Sequence, residues 1–337
     1  MGENTNGEQP PVPADAASRG AGDLSTSAGS PRKLKILMLH GKAAHLYPSR
    51  PPNASLSRCL ADQNPLGATG YTQSGPLFHT KTRSLEKLIT KFLPPIAPAQ
   101  SHKSSPLSQL YPGGAQLLYP TAPIPLSPAD IPGYAPAAQE GESQLDAWGW
   151  WKRETGSGRY AGLEESLEAI AESIQAAGGI DGVIGFSQGA AAAAMVASLL
   201  EPGRAQAFDE YRRGNPEALE YPESWRELQR MHPKGIKFAA LYSGFFAPNP
   251  LYTAFYEPKI SCPTLHFIGS LDTVVEESRS LALVNACEGA KEKTVYHPGG
   301  HFVPAGKEWG SVLVGFVRQC IDVEREEEDA RDIDFHL

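Results

Sequence analysis

The feature that most constrains the fold is an apolar stretch that runs into a serine between two glycines and continues as an alanine-rich segment. Residues 180–200 read IDGVIGFSQGAAAAAMVASLL. A short apolar run bounded by glycine is typical of a buried strand, and an unbroken run of small residues predicts a helix that packs closely on its neighbours. The chain must therefore pass from strand to helix within one tight turn at Ser187.

Further short apolar runs predict more strands, and amphipathic segments alternate with them. The helical segments include 84–93 and 163–174, where apolar residues recur at the spacing of one helix face, and a last helix from about Lys307 to Val323. The predicted strands are Leu34 to Leu39, 115–120, Phe238 to Tyr242, Thr264 to Ile268 and Thr294 to Tyr296. Strands that alternate with helices predict an α/β fold, a mainly parallel doubly wound sheet with helices on both faces.

Composition excludes several classes of protein. The chain has 337 residues, 41% of them hydrophobic, which is enough to bury a large core. A formal net charge of −8 without a basic block argues against a nucleic-acid partner. No signal-like segment or run of eighteen apolar residues is present, and the four cysteines form no CxxC motif. We therefore expect a cytoplasmic or nuclear protein with reduced thiols, no transmembrane segment and no metal.

Three segments depart from this pattern. Residues 1–31 are rich in Gly, Ser, Pro, Ala and acidic side chains, so we expect a disordered tail. Residues 323–337 form an acidic tail, which leaves 32–322 as one domain. Within that domain, residues 42–70 follow neither a helical nor a strand period and suit no regular element.

The turn at Ser187 matches the G-x-S-x-G pattern of the nucleophile elbow in α/β-hydrolases. The serine of such an elbow sits on a strained turn, and side chains at Gly185 and Gly189 would collide with the neighbouring helix and strand. The start of the following helix points backbone N–H groups toward developing negative charge. We therefore predict that Ser187 is a nucleophile and that the N–H of Gln188 is one donor of an oxyanion hole.

A serine hydroxyl needs a base to accept its proton and a carboxylate to orient that base. In α/β-hydrolases the acid and then the histidine follow the serine along the chain. Asp272 follows the predicted strand Thr264 to Ile268, and His301 follows the last predicted strand. Asp272 could instead be a helix cap or turn carboxylate, and His301 a loop histidine satisfied by backbone groups.

Other acids and histidines fit these roles less well. Asp181 lies at the start of the elbow strand, at the wrong edge of the sheet, and no strand precedes Asp209. His297 belongs to the end of a strand, which favours a structural or second-sphere role. His266 lies inside a strand and is interpreted as a core histidine.

Five ordered motifs together resemble one family of proteins. They are LHG at 39–41, YTQSGPLFHTKT at 71–82, GFSQGA at 185–190, GSLD at 269–272 and HFVP at 301–304. In this order they resemble the FSH-type family of serine hydrolases, a branch of the α/β-hydrolase superfamily. The resemblance covers about residues 33–320 and implies an esterase or thioesterase with Ser187, Asp272 and His301 as its catalytic triad.

One departure from the family pattern bears on the second oxyanion donor. The family runs from LHG directly into an aromatic residue and QSG, whereas here residues 42–70 intervene. We hypothesise that this segment is a retained intron or a gene-model error, with a genuine surface insertion as the alternative. The second oxyanion donor is the N–H of Lys42 if the segment is real, or that of Tyr71 if it is absent. Sequencing the transcript distinguishes the two.

Aromatic residues supply candidates for substrate contacts. Trp148, Trp150 and Trp151 form one cluster, and Phe245 and Phe246 follow a predicted strand. Of these we predict that Trp148, Trp151 and Phe245 line an acyl pocket, although such residues also serve as ordinary core packing.

The sequence thus predicts a serine hydrolase that cleaves a small-molecule carboxylic ester or thioester through an acyl-enzyme on Ser187, with no cofactor. One alternative is a thioesterase or lactonase that releases the product of a biosynthetic pathway. Another is a catalytically impaired α/β-hydrolase that acts as a binding module, which a distorted oxyanion loop would favour.

Overall fold

The computed structural model describes residues 30–41, 74–96, 105–127, 130 and 146–334, with backbone alone from residue 323 onward. All the elements given below lie within the compact unit Arg32–Leu337. Residues 1–29 of the predicted tail and all of 42–70 lie outside the described residues, so both of those predictions stay predictions. Within the described part, no helix is both long and apolar enough to cross a membrane.

Ten strands are present among the described residues, six of them in one sheet. Their order in that sheet is β10-β9-β8-β7-β1-β2, and every neighbouring pair is parallel. The other four form two short antiparallel pairs, β3 with β4 and β5 with β6. The strands are β1 Leu34–Leu39, β2 Ala115–Leu118, β3 Ile124–Pro125, β4 Trp148–Gly149, β5 Lys152–Arg153, β6 Tyr160–Ala161, β7 Gly182–Phe186, β8 Phe238–Tyr242, β9 Thr264–Gly269 and β10 Thr294–His297.

Helices cover both faces of this sheet. They are α1 Gly75–Phe92, α2 Pro106–Leu110, α3 Leu163–Ala176, α4 Gln188–Leu199, α5 Arg204–Gly214, α6 Glu223–Met231, α7 Glu277–Asn285 and α8 Lys307–Asp334, with 3-10 helices at Pro250–Phe255 and Lys291–Lys293. One hydrophobic cluster holds side chains of α1 and α8, and the other holds side chains of α3, α4 and α6.

Strand β1 explains why its sequence is a continuous apolar run. Leu34, Ile36 and Met38 belong to the cluster on one face, and Leu37 and Leu39 belong to the cluster on the other. Both faces are buried, so neither requires polar residues. Every residue of α4 is buried as well. The small side chains of this helix let it lie close to the sheet.

The α/β-hydrolase fold that the sequence predicts is confirmed, and two helices are longer than predicted. Helix α1 begins at Gly75 because Pro76 suits a first helical turn, where its missing N–H leaves no bond unmade. Thr82 lies on the buried face of α1 and interrupts the apolar stripe that marks the helix. Helix α8 continues to Asp334 because its Glu, Arg and Ala residues favour helix even beyond the apolar core.

Candidate active site

Ser187 lies on the tight turn between β7 and α4. Its φ of 54° is outside the range that side chains normally adopt, and its N–H donates to the Tyr242 carbonyl at 2.8 Å. A Cβ added at Gly185 would lie 2.2 Å from the Gly189 carbonyl oxygen, and one at Gly189 would lie 2.2 Å from the Leu39 carbonyl oxygen. Both flanking positions therefore require glycine, as the sequence predicted.

Asp272 and His301 reach Ser187 from the loops that follow β9 and β10. The Oγ of Ser187 is 2.9 Å from Nε2 of His301, and Nδ1 of His301 is 2.8 Å from Oδ2 of Asp272. Because parallel strands end at the same edge of the sheet, His301 comes within hydrogen-bonding reach of a serine 114 positions earlier in the chain. The serine and the imidazole are both buried, at 3% and 6% exposure.

The second carboxylate oxygen of Asp272 holds its own loop in place. Oδ1 accepts the N–H groups of Val274 and Val275, each at 2.9 Å. Asp272 is therefore a turn carboxylate as well as the partner of His301, so the two interpretations of this residue are compatible. The adjoining loops are joined by a bond from the Leu271 N–H to the Gly299 carbonyl at 3.0 Å.

The surroundings of Asp272 favour its ionised form. Burial by itself raises the pKa of this carboxyl, but the hydrogen bond and charge of His301 and the two backbone N–H groups outweigh burial. The net result is a pKa below the ordinary value. Asp272 is thus a carboxylate that can hold Nδ1 of His301 protonated and leave Nε2 free to accept a proton.

The carboxyl end of β1 lies against the serine turn. A Cβ added at Gly41 would lie 2.1 Å from the Phe186 carbonyl oxygen and 2.6 Å from Cβ of Ser187, so only glycine allows this approach. Gln188 is the first residue of α4, where no preceding helical turn supplies a carbonyl for its N–H. Lys42 and Tyr71, the two candidates for the second oxyanion donor, lie outside the described residues.

The side chain of Gln188 contacts the backbone of residues 148–151, the tryptophan segment. Its Oε1 accepts the N–H of Trp150 at 2.9 Å, and its Nε2 donates to the Trp151 carbonyl at 2.8 Å. The indole N–H of Trp150 donates to the carbonyl of His40 at 2.8 Å. The sequence places Trp150 in an aromatic cluster, but these bonds have no sequence signal, because two-residue strands show no periodicity.

The residues predicted to line an acyl pocket occupy different surroundings. Trp151 is buried, stacks on Tyr160 with ring centroids 4.8 Å apart and meets the edge of Phe245 at 6.4 Å. Trp148 is only partly buried and donates its indole N–H to Asp146 at 2.8 Å. Their part in substrate binding stays a prediction.

The rival acids and histidines lie where the sequence analysis expected. Asp181 is at the opposite edge of the sheet, and Asp209 is exposed on α5. His266 is buried within β9, and burial lowers its pKa to about 4. The ring of His297 is buried beside the site, where its Nδ1 accepts the Gly299 N–H at 3.3 Å. Among the described residues, no group of three or more His, Cys, Asp or Glu side chains is arranged to hold a metal ion.

Comparison with known proteins assigns the chain to a family. The family model described as Serine hydrolase (FSH1) matches residues 62–312. The chain is 31% identical over 227 residues to Esterase OVCA2 of Mus musculus, an alignment that covers 64% of this chain and 88% of that one. It is 28% identical over 264 residues to Esterase OVCA2 of Danio rerio, covering 74% and 94%.

A third relative is longer than this chain. The chain is 33% identical over 240 residues to a dihydrofolate reductase of Schizosaccharomyces pombe, which covers 70% of this chain but only 42% of that relative. The similarity therefore concerns less than half of the longer protein, and its named activity does not transfer. The family model, which matches well over half of the chain, and the mouse relative, most of whose length is covered, agree with each other. The chain belongs to the Serine hydrolase (FSH1) family.

Proposed function

We propose that this serine hydrolase cleaves a small-molecule carboxylic ester or thioester through an acyl-enzyme on Ser187. The observation that carries the proposal is the unbroken line of hydrogen bonds from Asp272 through His301 to Ser187, at 2.8 and 2.9 Å. The 2.9 Å distance is within the range that proton transfer from a nucleophile to its base requires, and the 2.8 Å distance lets Asp272 orient the imidazole. The FSH1 family supplies the reaction class.

In the first half of the reaction, Nε2 of His301 accepts the proton of Ser187 as Oγ attacks the carbonyl carbon of the substrate. The oxyanion that forms would accept the N–H of Gln188 and that of the residue after Gly41. The intermediate then collapses: the C–O or C–S bond of the substrate breaks, His301 gives its proton to the departing oxygen or sulfur, and the acyl group stays on Oγ of Ser187. Asp272 stabilises the imidazolium throughout.

In the second half, water replaces the leaving group. His301 accepts a proton from water as the water oxygen attacks the acyl carbon. His301 then returns that proton to Oγ of Ser187 when the ester bond to the serine breaks. The products are a carboxylic acid and the regenerated serine. No step requires a metal or an organic cofactor.

Thioesterase or lactonase activity in a biosynthetic pathway is the alternative within enzymes, since the same attack on a carbonyl carbon cleaves an ester, a thioester or a lactone. A binding module that has lost turnover is the alternative outside enzymes. Strain at Ser187 favours the enzyme, because strained backbone persists where function requires it. The absence of a nucleic-acid partner and the cytoplasmic location stay predictions from composition.

The experiment is hydrolysis of p-nitrophenyl acetate and of acetyl-coenzyme A by the wild-type protein and by Ser187→Ala. We expect turnover of one or both substrates and a loss of about 10⁶ in kcat in the variant, because the nucleophile is gone. Ser198→Ala is the matched control, since Ser198 is a fully buried serine within α4. Activity in Ser187→Ala within tenfold of wild type would refute the proposal.

A further inference from the structure

We infer that Trp150 is a positioning residue that fixes the start of α4, and with it the Gln188 N–H, against the carboxyl end of β1. The inference rests on the proposed function and adds to it a residue outside the triad and its donors. Trp150 is hydrogen-bonded to His40, at the carboxyl end of β1, and to Gln188, whose N–H is the predicted first oxyanion donor. The indole and the backbone of this one residue thus link the end of β1 to the start of α4.

The first contact fixes the segment after β1. The Trp150 indole N–H donates to the His40 carbonyl at 2.8 Å, and the two rings are in contact at 5.2 Å between centroids. On its other side the His40 ring accepts the Ala122 N–H through Nε2 at 3.0 Å. The His40 carbonyl belongs to the peptide that leads into Gly41, so fixing it fixes Gly41 against the serine turn.

The second contact fixes the start of α4. The Trp150 N–H donates to Oε1 of Gln188, and Nε2 of Gln188 donates to the next carbonyl, that of Trp151. The Gln188 side chain thus makes two bonds to one stretch of backbone, which removes its freedom to rotate. The backbone N–H of the same residue is the predicted first oxyanion donor.

Trp150 is itself held rigidly. Its side chain is fully buried, and its carbonyl accepts the hydroxyl of Ser166 on α3. Burial and a hydrogen bond to a core helix therefore hold Trp150 in place. From there it contacts both His40 and Gln188, which are 148 residues apart in the sequence. An oxyanion hole depends on such placement, because donors must be aimed at an oxygen that exists only in the transition state.

The test replaces the indole N–H while it keeps an aromatic ring. In Trp150→Phe the His40 carbonyl loses its donor, and we expect kcat on p-nitrophenyl acetate to fall about tenfold or more with KM within about twofold, since an interaction specific to the transition state is weakened. The acid limb of the kcat/KM pH profile should not move, because the bonds between Asp272, His301 and Ser187 are unchanged.

The matched control is Trp225→Phe. Trp225 is also fully buried and donates its indole N–H to a carbonyl, that of Leu167 at 3.2 Å, between α6 and α3. We expect this variant to lose stability like Trp150→Phe but to keep kcat within about twofold of wild type. Equal kcat values for the two variants, or a Trp150→Phe enzyme as active as wild type, would overturn the inference.

A second variant decides the matter if Trp150→Phe does not fold. Gln188→Met keeps the size of the side chain and the backbone N–H but removes both bonds to the tryptophan segment, so kcat should fall to a similar extent. Wild-type kcat in Gln188→Met would contradict the inference. If the wild-type protein neither hydrolyses the ester nor reacts with a fluorophosphonate at Ser187, the proposed function fails and this inference fails with it.

Discussion

The two edges of the sheet each hold a partly buried carboxylate, and the two carboxylates have different partners. At the carboxyl edge, Asp272 divides its oxygens between its own loop and the ring of His301. At the amino edge, Asp181 accepts the backbone N–H of Lys35 at 2.9 Å and the hydroxyl of Tyr111 at 2.9 Å. Asp272 contacts an imidazole that in turn contacts the Ser187 hydroxyl, whereas Asp181 contacts a backbone N–H and a tyrosine hydroxyl.

The difference follows from chain direction. Loops that leave the carboxyl ends of parallel strands converge, so the side chains they carry can act together. At the amino edge the chain enters its strands, and Asp181 ties β1 to the turn before β7 with the bonds already described and a backbone N–H of its own to the Lys35 carbonyl at 2.8 Å. The edge of the sheet, more than the type of residue, therefore separates reaction chemistry from stability.

The largest effect that tests this comparison is expected from Asp272→Asn. The carboxamide can no longer hold Nδ1 of His301 protonated, so Nε2 is left with the wrong tautomer, and kcat should fall by about 10⁴. Steady-state hydrolysis of p-nitrophenyl acetate measures the loss, and circular dichroism checks that the fold is intact. A loss of less than tenfold would remove Asp272 from the mechanism.

The next effect concerns two buried histidines, His40 at the carboxyl edge and His266 within β9. Burial lowers the pKa of His40 to about 3, against a smaller opposing effect of Asp146, and lowers that of His266 to about 4. Below about pH 6.5 the unfolded chain binds protons that the folded protein excludes, so stability falls as pH falls toward these values. Each histidine should contribute about 1.4 kcal/mol per pH unit to that decline.

Urea unfolding at about pH 7 and about pH 5 measures this slope. In His266→Leu the slope should be smaller, because one of the two histidines no longer takes up a proton on unfolding. Asp272, whose pKa is lowered, loses its contribution only below about pH 4, outside this interval. A slope unchanged in the variant, or greater stability at the lower pH, would contradict the expectation.

The smallest effect on catalysis is expected from Asp181→Asn, the counterpart of the first variant. The backbone N–H of Lys35 and the Tyr111 hydroxyl would keep a partner but lose its charge, which should lower the free energy of unfolding by about 1–3 kcal/mol. The kcat value should stay within about twofold of wild type. A large loss of kcat in a stably folded variant would mean that the two edges are not separate.

Much of the fold and the central part of the site can be predicted from the sequence. Strands such as β1 and β8 are apolar runs because both of their faces are buried, and their ends match the prediction to the residue. The positions of Asp272 and His301 follow from the strands that precede them. The glycines around Ser187 are required because a Cβ at either position would lie within 3 Å of other atoms. The motif can therefore be recognised from the sequence.

The remainder depends on contacts that leave no local pattern. The contacts of Trp150 join segments far apart in the chain through a backbone carbonyl and a side-chain amide, neither of which has a periodicity. The extent of α1 is hidden because Thr82 lies on its buried face and satisfies its hydroxyl on the Phe78 carbonyl at 2.9 Å. A buried polar residue of this kind interrupts the hydrophobic pattern from which helices are recognised.

The role of Ser187 as the nucleophile is best tested by finding which residue forms a covalent adduct with an active-site reagent. The wild-type protein is treated with a fluorophosphonate and digested, and the modified residue is identified by mass spectrometry, alongside Ser187→Ala and Ser198→Ala. We expect one adduct, on the peptide that contains Ser187, in wild type and in Ser198→Ala but not in Ser187→Ala. Labelling that persists in folded Ser187→Ala, or no adduct on Ser187 in folded wild type, would contradict it.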